Sequence, residues 1–139
     1  MEKLLDSLEG MQARIGALEA YSRMRRFMVA YLSSVTAPLP LIVRDALEAA
    51  NLFDHKLLTD AGLEERRVAC WSFLDQKPNA NDLADQETCL IRAIICALYV
   101  APPDDDICEL VTWFLALTKK AGIDDDGRAE GLLKRFIDE

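Results

Sequence analysis

Residues 89–101 read Cys89-Leu90-Ile91-Arg92-Ala93-Ile94-Ile95-Cys96-Ala97-Leu98-Tyr99-Val100-Ala101, an almost unbroken apolar run with one charge. A surface helix shows one apolar stripe, whereas a helix apolar on nearly every side belongs inside a bundle. The run therefore predicts a central buried helix near residues 83–101, capped by Asn81 or Asp82, with Asp85 and Glu87 complementing its N-terminal dipole. Pro102-Pro103 ends it and Asp104-Asp105-Asp106 opens the next helix. In that helix Ile107, Leu110, Val111, Phe114, Leu117 and Ala121 follow the helical period, and Gly122 closes it. A last helix from about Asp126 to Ile137 turns Leu132, Leu133, Phe136 and Ile137 toward the core.

On the N-terminal side, Lys77 to Asn81 is a loop by composition. It follows a helix from Asp60, as cap, to about Gln76, with Leu63, Cys70, Phe73 and Leu74 inward and Val68 and Trp71 widening the stripe. Asp54-His55 begins a connector before that helix, and residues 41–51 form another helix, with Asn51 near its C-terminus and Pro38 and Pro40 ahead of it. Residues 1–34 carry apolar side chains at Leu4, Leu8, Met11, Ile15 and Leu18, a heptad seam that shifts to Tyr21, Met24, Met28 and Tyr31 or Leu32. Gly10 and Gly16 weaken this helix and allow a kink near Gly16. An unbroken rod of ~32 residues is about 48 Å long, against a globule roughly 37 Å across, so part of it is expected to protrude or to pair with another chain.

The expectation is one all-α domain over residues 1–139, a six-helix bundle with a long N-terminal heptad-patterned helix (1–34) and the remaining helices in 41–139. With 139 residues, a hydrophobic share of 51%, 6 Gly and 5 Pro, a disordered, collagen-like or typical all-β chain is excluded. The first ten residues carry Glu2, Asp6 and Glu9 in place of a basic, apolar leader, and no stretch has the roughly 18 apolar residues of a membrane span. Cys70, Cys89, Cys96 and Cys108 sit in apolar helical contexts that suit reduced thiols, so a cytoplasmic protein with no membrane partner is expected.

Catalytic chemistry has little to work with. His55 is the single histidine, and a loop histidine near a helix start is most often a capping or solvated side chain. Zinc lacks a Cys-x-x-Cys pair, and the EF-hand register from Asp124 places Arg128 at position five and Arg135 at the bidentate glutamate. Asp124-Asp125-Asp126-Gly127 thus reads as a solvated turn and helix cap. No glycine-rich phosphate loop is present. No catalytic, metal-binding or cofactor-binding residue is assigned, and no cofactor is expected.

The charge pattern carries more information. There are 24 acidic and 16 basic side chains, net −8; residues 1–69 contribute −1 and residues 70–139 contribute −7. Nucleic acid is disfavoured, because its binding needs many cationic contacts, and the basic run Arg23-Met24-Arg25-Arg26 is expected to bridge to the chain's own acids. Asp106, Glu109, Trp113, Ala116 and Lys120 step along the helix face opposite its apolar stripe, so Trp113 falls among acids. Asp104, Asp105, Asp106, Glu109 and Trp113 form the candidate surface for a basic protein partner. The seam Leu4, Leu8, Met11, Ile15 and Leu18 is the candidate homodimer surface of an adaptor or assembly factor.

Cys70-Trp71 with Leu74-Asp75, residues 91–96, and Asp104-Asp105-Asp106 followed by Trp113-Phe114 give residues 63–121 a character that resembles the small acidic all-helical immunity proteins of bacterial toxin systems. The resemblance implies an intracellular, non-catalytic role in neutralising a toxin, and it carries no site residue across. The stretch Ile94 to Leu110 is also similar to tellurite-resistance-type helical domains, although Pro102-Pro103 replaces the Asp-Gly acidic turn of those domains and thereby the metal site it would imply.

Overall fold

The computed structural model describes residues 2–36, 38–78, 82–103, 106–123 and 127–139. Among these, seven helices and no strand are found: α1 (Glu2–Ile15), α2 (Ala17–Ser33), α3 (Leu41–Asp54), α4 (Asp60–Asp75), α5 (Gln86–Ile95), α6 (Ile107–Lys120) and α7 (Arg128–Ile137). The all-α expectation holds, with seven helices in place of six.

The extra helix comes from one residue. Gly16 adopts φ 88° and ψ 158°, a conformation essentially confined to glycine, and it divides the expected rod into α1 and α2. The two helices then pack on each other, and α1 also packs on α6 and α7. The shifted seam on α2 is fully enclosed: Tyr21, Met24, Met28, Tyr31 and Leu32 are all buried. With Phe27 they make α2 the axis on which α1, α3, α5, α6 and α7 pack. Phe27 meets Phe114 edge-on at 5.7 Å and Phe136 at 6.1 Å, joining α2, α6 and α7 through one aromatic cluster.

The apolar run behaves differently from its sequence pattern. Residues 88–91 and 93–98 are all buried, but the helix stops at Ile95 and the expected segment 83–101 is only partly helical. Tyr21 and Arg25 of α2 intervene. The Tyr21 hydroxyl donates to the Cys96 carbonyl at 2.8 Å and accepts from the Tyr99 N–H at 3.1 Å, while Arg25 donates to the Tyr99 carbonyl. The Cys96 carbonyl and the Tyr99 N–H and carbonyl are thereby satisfied by side chains of α2, while the N–H groups of residues 96–98 bond the carbonyls three residues before them. Arg25 also donates to Asp54 at 3.1 Å, its side chain 3% exposed, and its guanidinium lies 4.8 Å from the centroids of both Tyr21 and Phe53. The expectation that the basic run bridges to the chain's own acids is met at Arg25.

Several helix ends move from their expected positions. Helix α3 extends one turn past Asn51 to Asp54, and His55 caps it, its Nδ1–H donating to the Asn51 carbonyl at 2.8 Å. Thr59, not Asp60, caps α4 by accepting from the Gly62 N–H at 3.0 Å. Asp85 caps α5 by accepting from the Thr88 N–H at 2.9 Å, whereas Asp82 bonds Ala84 in the turn before it; Asn81 lies outside the described residues. Lys77 ties this start down, reaching Glu87 at 2.6 Å and Asp85 at 3.4 Å. On α4 the inward stripe is narrower than expected: Leu63, Cys70 and Leu74 are buried, but Phe73 and Val68 are exposed. The turn proposed at Asp124-Asp125-Asp126 lies outside the described residues, and α7 begins at Arg128 behind Gly127.

Candidate functional site: the acidic groove at the start of α6

Asp106 caps α6, its Oδ1 accepting from the Glu109 N–H at 3.0 Å. This bond satisfies one orphan donor of the first turn and places the Asp106 charge at the positive end of the helix dipole. The packing of Ile107, Leu110, Val111, Phe114 and Leu117 into the core then sets the rotation of α6. Asp106, Glu109 and Trp113 consequently face outward, and Trp113 is 42% exposed. The sequence left open whether this tryptophan packs inward or stands free; rotation of α6 by its apolar stripe decides it.

The three side chains line one groove of about 230 Å³ together with Pro103 and Leu110. Pro103 and Leu110 supply apolar walls, Asp106 and Glu109 supply negative charge, and Trp113 supplies an aromatic face. Among the described residues, neither the Glu109 carboxylate nor the Trp113 indole N–H has a protein partner. Asp104 and Asp105, also named for this surface, lie outside the described residues.

A second source of charge near the start of α6 was not visible in the sequence. On the other flank, the Cys108 thiol faces the Leu5 carbonyl of α1 at 3.7 Å. Burial pushes this thiol above its ordinary pKa, and the carboxylates of Glu9, Asp106 and Asp6 add to the effect. Asp6 and Glu9 therefore extend the negative field around α6, although counting charges along the chain assigns them to its nearly neutral half. The other thiols are also held protonated by burial, Cys70 at about 11 and Cys96 at about 12, which makes them inert as nucleophiles at neutral pH.

The five seam residues do not form one surface. Leu8 and Met11 are buried in the chain's own core, Leu4 and Ile15 are half-buried, and Leu18 is 63% exposed beyond the Gly16 break. The expected protruding stripe is thus largely used within the molecule. Among the described residues no helix is long and apolar enough to cross a membrane.

No protein-family model, curated protein or solved structure matches this chain. What the fold and the groove define is a class: an acidic, all-helical domain that presents an aromatic side chain beside two carboxylates near a helix start. Such a surface can hold a cationic group by charge, by stacking and by partial removal from water.

Proposed function

We propose that the protein is a non-catalytic inhibitor of the immunity type, which neutralises a basic protein partner such as a toxin through the acidic face of Asp104, Asp105, Asp106, Glu109 and Trp113. One observation carries this reading: Trp113 stands exposed in a groove that it shares with two carboxylates. Exposed tryptophans at the centre of a contact dominate binding energy, and the surrounding charge steers an oppositely charged partner. The net charge of −8 supports a basic protein and argues against nucleic acid.

The test is capture of the partner from the native cell with the wild-type chain, in parallel with Trp113→Ala and Glu109→Gln. The expected result is a basic protein that is lost in both variants and at high salt, is toxic when expressed alone, and is tolerated when co-expressed with the wild type. Capture indifferent to salt and to Trp113→Ala overturns the reading.

A homo-oligomeric adaptor is the second reading, favoured by the exposure of Leu18 and the partial exposure of Leu4 and Ile15. Light scattering separates the two. A stable dimer that Leu18→Glu converts to a monomer supports the adaptor, and a monomer of 15.6 kDa removes it.

A further inference from the structure

The groove at the start of α6 is narrow, partly apolar and doubly negative, which limits what can fill it. A volume of about 230 Å³ suits one long side chain, not a helix or a sheet edge. Pro103, Leu110 and the Trp113 ring suit a methylene stem, and Glu109 with the second oxygen of Asp106 suits a cationic head.

The chain itself indicates which cation fits a tryptophan here. Arg92 lies over the Trp71 ring at 5.3 Å, Arg67 over Tyr99 at 4.9 Å and Arg128 over Tyr31 at 5.2 Å, besides Arg25 between Tyr21 and Phe53. Of the two tryptophans, Trp71 has its arginine, whereas Trp113 has no cation over its ring among the described residues. We infer that the groove receives a single arginine side chain of the basic partner, its guanidinium stacked on Trp113 and its N–H fork shared between Glu109 and Asp106. This rests on the partner-binding reading above and specifies its central contact. Arginine suits the site better than lysine because a planar, weakly hydrated guanidinium can stack and donate to two carboxylates together, whereas an ammonium is compact and strongly hydrated.

The test uses the ¹⁵N-labelled full chain, whose two indole N–H signals are assigned by the loss of one in Trp113→Phe. Acetyl-glycyl-arginyl-glycinamide is titrated at low ionic strength beside its lysine and citrulline counterparts. The expected result is a saturable shift of the Trp113 signal with the arginine peptide, about threefold or more weaker binding of the lysine peptide, and none of the neutral citrulline peptide. Glu109→Gln and Asp106→Asn each weaken the arginine shift; asparagine keeps the helix cap, so the second variant removes charge with α6 intact. Equal binding of arginine and lysine, a shift that survives Glu109→Gln, or no shift at Trp113 overturns the inference. Capture that depends on Trp113 but shows no arginine preference overturns the arginine alone and leaves neutralisation standing. Arginine selectivity in a chain with no Trp113-dependent partner supports the groove chemistry and overturns neutralisation.

Discussion

Arg25 joins three parts of the chain that are far apart in sequence: its own helix, Asp54 at the end of α3 and the Tyr99 carbonyl after α5. Removing one member of a buried ion pair leaves the other charge without its partner, so Arg25→Ala is expected to lower stability by about 3–5 kcal/mol in urea unfolding. Arg25→Lys is expected to recover only part of this, because an ammonium cannot reach both acceptors while stacked between two rings. Asp54 adds a pH signature. Burial raises its pKa above the ordinary 3.8, more than the Arg25 hydrogen bond and charge lower it. Its stabilising contribution is therefore complete below 3.8 and is lost as pH rises through the elevated value; Asp54→Asn is expected to flatten the stability profile over that acid range. A basic run bridging to internal acids was legible from charge alone. The partners were not, since Asp54 and Tyr99 lie 29 and 74 residues away and only the tertiary fold brings them together.

Two glycines on the first helical segment make opposite predictions for the same substitution. At Gly10, inside α1, an added Cβ meets nothing within 4 Å, so Gly10→Ala is expected to stabilise by about 0.5–1 kcal/mol through reduced unfolded-state freedom. At Gly16 there is equal space, but φ 88° and ψ 158° strain any Cβ-bearing residue, and Gly16→Ala is expected to destabilise by about 1–3 kcal/mol. Thermal unfolding of the two variants checks both signs, and loss of stability in both would mean that α1 tolerates no added methyl. The contrast explains what could be read at this scale. Periodicity located every helical segment, because burial of a stripe acts over many residues. It read the break at Gly16 only as a kink within one rod, because both flanking segments are helical and the seam merely shifts beyond Leu18, and it carried α5 too far. Apolarity records burial of residues 96–98, and it does not record that Tyr21 takes the Cys96 carbonyl and Arg25 the Tyr99 carbonyl.

Across the whole molecule, the spacing of Asp106, Glu109 and Trp113 was legible because one helix carries all three. The Pro103 wall and the nearby Asp6 and Glu9 charges were not, since they depend on how the chain returns to α6. This division of labour predicts different kinetics for different side chains. If the groove holds a basic protein as proposed, the net charge of −8 acts over distance and accelerates encounter, while Trp113 acts only once water has left the groove. With the captured partner immobilised, Asp106→Asn combined with Glu109→Gln is expected to slow association and to flatten its dependence on salt, and also to speed dissociation, because both carboxylates hold the guanidinium directly. Trp113→Ala is expected to leave association nearly unchanged and to speed dissociation by about tenfold or more, the size typical of a central aromatic anchor. Because Trp113 is 42% exposed, its removal opens no cavity in the core, so the variant should unfold at nearly the wild-type temperature. A faster dissociation in a protein of unchanged stability assigns the loss to the contact itself. If Trp113→Ala instead lowers association and stability together, the indole supports the start of α6, and the groove is not where the partner is held.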